Sequence, residues 1–232
     1  MKKLERIKKL LEGNYNLKIK KHEYHPKTNE ELKDLIEELL KKYGNKVDLN
    51  NIDVFGIKDF TYIFSDKRDF MGYVSEWDVL NGLSFYSMFF NCWYFNSDLS
   101  NWDVSNGKRF GSFFAFCDRF NSDLSQWNVS NGNEFSLMFK GCKFFNADLS
   151  NWNVSEGKYF SFMFYNCYNF NCDLSDWDVS NGILFSSMFY GCKSFDTNLS
   201  NWNVSKAQTW DEFAKNSLLE KYPEKIPEKF RK

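Results

Sequence analysis

The sequence predicts a repeat solenoid built of short strands and short helical turns, and three observations predict it. Trp77, Trp102, Trp127, Trp152, Trp177 and Trp202 recur every 25 residues without an insertion, and a fixed period of this length marks stacked repeats. Inside each period the apolar residues keep the same places. Phe, Tyr and Trp make up 20% of the 232 residues while Pro is only 3, so there is ample apolar area to bury and no composition of a disordered tract.

With each Trp as position 1, the unit reads W-[DN]-V-S-N-G-x-x-F-x-x-M-F-x-x-C-x-x-F-N-x-D-L-S-x. Positions 9, 12, 13 and 16, for example Phe135, Met138, Phe139 and Cys142, follow the i, i+3, i+4, i+7 spacing of one helical face. Positions 19–24, "FNADLS", suit a short strand. Trp, Val, Phe, Met, Cys and Leu then point inward, and stacking one coil on the next at about 4.8 Å buries them as ladders. A degenerate copy at 52–76 keeps Ile52, Val54, Phe60, Phe64, Phe70 and Val74 in register, and a last copy drifts away after Trp210, giving about seven coils. Gly at position 6 suggests a positive-φ bend. Asn at position 20 and Asp at position 22 suggest side chains that bond the backbone of tight bends.

The flanks differ in kind. Residues 1–51 form an N-terminal helical and strand cap, 52–208 the solenoid, and 209–232 a C-terminal cap and tail. "KTNEELKDLIEELLKKYGN" carries a capping box at Thr28 and Glu31, an apolar stripe of Leu32, Leu35, Ile36, Leu39 and Leu40, and Gly44 as a stop. The first residues read as an amphipathic helix with Leu4, Ile7, Leu10 and Leu11 on one face. Pro223 and Pro227 suit a blunted edge that resists end-to-end stacking.

The unit "MFYGCKSFDTNLSNWNVS" at 188–205, with Pro26–Leu32 leading in and Asn216–Pro223 leading out, resembles the BspA-like, mycoplasma-lipoprotein-type repeat family of bacterial surface proteins. The resemblance implies a leucine-rich-repeat-like, right-handed solenoid, a role in adhesion or protein binding, no enzymatic activity and no cofactor. This chain places Gly at position 6 and Phe at position 9 where the family usually has an apolar residue and Met.

The polar residues offer little for catalysis or metals. No His lies near a repeat Ser, so a hydrolase triad lacks its base. Five of the six Cys (Cys92, Cys117, Cys142, Cys167 and Cys192) share position 16 and read as a buried ladder of small apolar filler, while Cys172 reads as an exposed thiol that favours a reducing compartment. His22 and His25 lack helical metal-ligand spacing. The column Asp98, Asp123, Asp148 and Asp173 reads as local backbone acceptors rather than a Ca²⁺ site. Neither a catalytic residue nor a metal ligand is assigned.

Charge narrows the partner. Formal net charge is −1, with 13 Lys and Arg against 9 Asp and Glu in residues 1–50 and 17 against 22 beyond them. The acidic repeat region offers no attraction to phosphate, so nucleic acid is not expected. No apolar run reaches the roughly 20 residues of a membrane span, and charges interrupt the start where a signal peptide would sit. These features point to the cytoplasm; the resemblance points to the cell surface.

What varies between copies carries the functional expectation. Positions 7 and 8 and positions 17 and 18 change from copy to copy, as do 11, 14 and 15, and all fall off the inward spacing. They often hold large rings. Tyr86, Phe90, Trp93, Tyr94, Phe116 and Phe144, then Tyr159, Phe162, Tyr165, Tyr168 and Tyr190, with Arg119 among them, form the expected contact surface for an unidentified protein partner. The competing reading is a second layer of core. Two other functions compete with it: carbohydrate binding through stacking on the same rings, and a structural spacer that self-associates weakly, end to end.

Overall fold

The computed structural model describes residues 22–231, so the amphipathic pattern over Leu4–Leu11 lies outside the described residues. From Asp59 onward the backbone returns to the same place every 25 residues: parallel bridges join Asp59 to Ser84, then Arg109, Glu134, Tyr159, Leu184 and Thr209. Each bridged residue occupies position 8. The result is a series of layers, each one repeat thick.

Positions 9–16 form tandem β-turns rather than the helical turn that their spacing suggests. Met88 N–H donates to Phe85, Phe90 to Ser87 and Cys92 to Phe89, all three residues back. The residues at positions 11 and 15 take positive φ, as in Ser87 (52°), Asn91 (60°), Leu137 (59°) and Phe162 (60°). A positive φ at the third residue of a turn is the type II pattern, and it flips the middle peptide outward. The freed N–H groups reach the next layer, with Ser87 donating to Gly111 at 2.9 Å and Asn91 to Ala115 at 2.7 Å. Turns thus carry the inter-layer ladder that strands would otherwise supply.

Positions 19–24 make backbone bonds to the adjoining chain only at the two ends, as Tyr73 N–H does to Val47 and Leu199 N–H to Lys225, and none between the layers from Phe95 to Ser175. Side chains join the layers there instead: the N–H of Asn121 donates to Asn96 Oδ1 (2.9 Å), that of Asn146 to Asn121 Oδ1 (2.7 Å) and that of Asn171 to Asn146 Oδ1 (2.9 Å). Leu99 N–H donates to Ser122 Oγ at 2.9 Å in the same way. Each position-1 Trp Nε1 reaches back one layer, as Trp127 does to the carbonyl of Leu99 at 2.9 Å.

The core is a set of aromatic ladders. Trp centroids repeat at 6.3–6.5 Å with ring planes within 5°, and Phe rings at position 9 repeat at 5.4–5.7 Å. Layers are therefore wider apart at the Trp edge, where side chains join them, than along the turn face, where backbone bonds hold them. Within a layer the position-13 and position-19 Phe rings close to about 4 Å, as in Phe114 and Phe120 at 3.9 Å.

Two local expectations change. Gly82, Gly107, Gly132, Gly157 and Gly182 do not adopt positive φ. They are glycine because the position-9 ring lies against them: a Cβ on Gly107 would sit 2.5 Å from Phe110 Cζ. Cys172 is not exposed, being only 8% accessible, because position 21 turns inward; its Sγ replaces a Ser hydroxyl and accepts the Leu149 N–H at 3.1 Å.

Both ends of the layers are covered. Helix α1 (Asn29–Tyr43) starts at Thr28, whose Oγ1 accepts the Glu31 N–H, and stops at Gly44 with φ 80°. It buries Leu32, Ile36 and Leu39 on the first layer. Asn29 Nδ2 donates to the carbonyls of Asp59 (2.9 Å) and Thr61 (3.0 Å), which have no preceding layer. At the other end three 3₁₀ turns, Leu219–Lys221, Pro223–Lys225 and Glu228–Phe230, follow the last layer. There the Lys225 carbonyl takes the Leu199 N–H at 2.8 Å, its ammonium meets Asp196 at 2.5 Å, and Lys229 Nζ donates to the carbonyls of Val204, Ser205 and Ala207. The tail thus supplies bonds that a further layer would have made.

Candidate partner-binding surface

The turn face and its edge hold the variable residues. None of the twelve candidate residues is buried, but they fall into two groups. Tyr86, Phe90, Phe116, Tyr159, Phe162, Tyr165 and Tyr190 are half-buried, whereas Trp93, Tyr94, Arg119, Phe144 and Tyr168 are exposed.

Most of the half-buried rings pack on neighbouring layers. Tyr86 lies over Gly111, where a Cβ would meet it at 3.0 Å, and Phe116 lies over Gly141. Phe90 meets Phe116 edge-on at 5.7 Å, and Tyr165 stacks on Tyr190 at 4.6 Å. Lys140 Nζ sits among Phe116, Phe162 and Tyr165 at 5.6, 5.3 and 5.0 Å, so the chain fills this aromatic cage with its own ammonium. Burial there lowers the Lys140 pKa. These residues form a ridge of secondary packing, as the competing reading of the sequence expects.

The exposed group lies on a separate strip at positions 17 and 18, where the chain turns off the ladder. Trp93 is 41% exposed, Tyr94 46%, Phe144 52% and Tyr168 38%. Backbone bonds hold the strip in line, Tyr94 N–H donating to Arg68 and Arg119 N–H to Trp93. Arg68 covers the Trp93 ring at 4.9 Å and Arg119 the Phe144 ring at 5.7 Å. Trp93 Nε1 donates to Asn91 Oδ1 at 2.6 Å, and Asn91 Nδ2 in turn to Asp66 at 2.7 Å. The result is a row of rings and guanidinium groups held in place by contacts within the chain.

Sequence reasoning missed Tyr62, 48% exposed, which meets Tyr86 edge-on at 5.8 Å. Its signal was present: it occupies position 11 of the degenerate first copy, in line with Phe162.

The remaining polar groups have local roles. Asp98, Asp123, Asp148 and Asp173 each accept the N–H of the Ser two residues on at 2.9–3.0 Å. This bond, with the Ser hydroxyl, holds the pKa values of Asp123, Asp148 and Asp173 below the ordinary carboxylate value. His25 Nδ1 lies 3.1 Å from Asp53 Oδ2. Among the described residues no three His, Cys, Asp or Glu side chains converge as metal ligands would, and no helix is long and apolar enough to cross a membrane.

A layered core of constant residues under a surface of changing ones defines a repeat-type protein. This chain belongs to the family described as Mycoplasma protein of unknown function, DUF285, which matches it over residues 32–144 and again over 124–222. No curated protein and no solved structure shows significant similarity to it.

Proposed function

We propose that this chain is a non-catalytic protein-binding or adhesion module of the BspA-like surface type, with its layers stacked as a leucine-rich-repeat-like solenoid. The binding residues are Trp93, Tyr94, Arg119, Phe144 and Tyr168. The observation that carries the reading is their exposure. Their four rings stand 38–52% exposed in one strip, while the rings of the adjoining ridge are half-buried against neighbouring layers. Placing four large rings in solvent is unfavourable unless a partner covers them, and a patch of this kind on a rigid frame lowers the ordering cost of binding.

The two other functions have less support. Sugar stacking needs open ring faces, and guanidinium groups already cover one face of Trp93 and of Phe144. An end-to-end spacer needs bare terminal layers, whereas Asn29 and the Lys225–Lys229 tail bond to them.

The test is affinity capture from lysate and surface extract of the source cell, using wild type and a Trp93→Ser/Tyr94→Ser/Phe144→Ser/Tyr168→Ser variant that melts like wild type. A protein held by wild type and lost by the variant is the expected result. Glycan binding without any captured protein, or equal capture by both chains, would overturn the reading.

A further inference from the structure

The 25-residue register sorts charge as well as ring size. Across residues 52–208, positions 7–18 carry ten Lys and Arg against five Asp and Glu, while the remaining positions carry one Lys against twelve Asp and Glu. Because each position keeps its place in every layer, the turn face is basic and the opposite, Trp-side face is acidic. The small net charge of the chain hides this division.

Ion pairs take up part of each face, Lys67 with Glu37 and Lys143 with Asp118 on the basic side and Asp53 with His25 and Asp196 with Lys225 on the acidic side, but other groups stand outside them. Arg68, Arg109 and Arg119 lie over Trp93, Tyr86 and Phe144 at 4.9, 5.3 and 5.7 Å, and no carboxylate among the described residues forms an ion pair with any of them. A ring-stacked guanidinium keeps its N–H edge open, in the fork geometry that suits a carboxylate. On the other side, Asp98, Asp123, Asp148 and Asp173 rise in one column, one per layer, and none is ion-paired among the described residues.

We propose that the basic turn face of one molecule docks the acidic face of a second copy, giving side-by-side association driven by charge. A net charge of −1 leaves almost no overall repulsion to oppose contact. Association is lateral because α1 and the C-terminal tail cover the ends. The two faces differ, so the contact is heterologous and does not close as a two-fold dimer; assembly grows with concentration. This inference does not rest on the foreign-partner reading, with which it shares only Arg119.

Sedimentation velocity of the full chain over a concentration series, at about 0.02 M and about 0.5 M salt, tests it. The expected result is a mass that climbs with concentration at low salt and returns to 27.7 kDa at high salt. Two further chains locate the faces. Asp98→Asn/Asp123→Asn/Asp148→Asn/Asp173→Asn keeps the turn bond, since Asn198 makes it in the next layer at 3.0 Å, and Arg109→Gln/Arg119→Gln removes the guanidinium edges. Each should shift the concentration for half-association upward at least tenfold. A wild-type chain that stays monomeric at low salt would overturn the proposal, as would association that both variants retain in full.

Discussion

Cys142 Sγ lies 2.9 Å from the carbonyl oxygen of Phe114, one layer back, and that oxygen also takes the N–H of Cys117 at 2.9 Å. The same contact recurs at Cys92, Cys117, Cys167 and Cys192. Position 16 is thus a donor as well as a small filler, and the ladder of thiols helps to hold each layer to the one before. Burial raises the pKa of all five, and that of Cys172 to about 11. Thiolate is therefore scarce in the folded chain at pH 8. Maleimide labelling followed by intact mass should find no modification of the native protein and six labels after denaturation; fast labelling of Cys142 in the folded chain would contradict the ladder.

Ala147 interrupts another column. At position 21, Ser97, Ser122 and Cys172 accept the N–H groups of Val74, Leu99 and Leu149, whereas Ala147 leaves the buried Leu124 N–H without an acceptor among the described residues. Ala147→Ser supplies the missing oxygen. The change should stabilise the chain by about 1 kcal/mol, the usual worth of a hydrogen bond to a buried group, read as a higher urea midpoint at an unchanged slope. A lower midpoint would show that the hydroxyl does not reach Leu124.

The Asp column predicts the direction of acid sensitivity. The folded-state pKa values of Asp123, Asp148, Asp173 and Asp178 are depressed by Ser N–H and hydroxyl donors. Each therefore contributes stability that is present above the unfolded pKa of about 3.9 and is lost as pH falls through the lower folded value. Thermal melting between pH 7 and 2 should show the loss below about pH 4, and Asp148→Asn should fold normally and flatten part of it. An unchanged acid profile in that variant would place the sensitivity elsewhere.

The period, the inward positions and the α1 cap were legible in the sequence, because a fixed repeat forces equivalent residues into equivalent places and a capping box has a local cause. The backbone of positions 9–16 was not. A spacing of i, i+3, i+4, i+7 arises from tandem type II turns as well as from a helix, and Ser112, Leu137 and Phe162, which hold positive φ there, carry no glycine signature. The burial of Cys172 was not legible because position 21 also holds the polar Ser97 and Ser122; both are buried and aimed at backbone N–H groups.

For the candidate site, variability marked out a face but could not divide it. Phe116 and Phe144 look alike in the sequence, yet one lies over Gly141 and the other stands half in solvent. That difference depends on which residue occupies the next layer. The opposed charges of the two faces were equally hidden, because a net charge sums over both.

The division between packed ridge and open strip is most directly tested by paired melting. Phe116→Ser/Phe162→Ser/Tyr165→Ser strips the cage around Lys140 and should lower the melting temperature by several degrees, since each change removes partly buried ring area at about 25 cal/mol per Å². Trp93→Ser/Tyr94→Ser/Phe144→Ser/Tyr168→Ser should melt within about a degree or two of wild type, as surface substitutions do. An equal, large fall in both variants would mean that the strip is core and that the proposed binding surface does not exist.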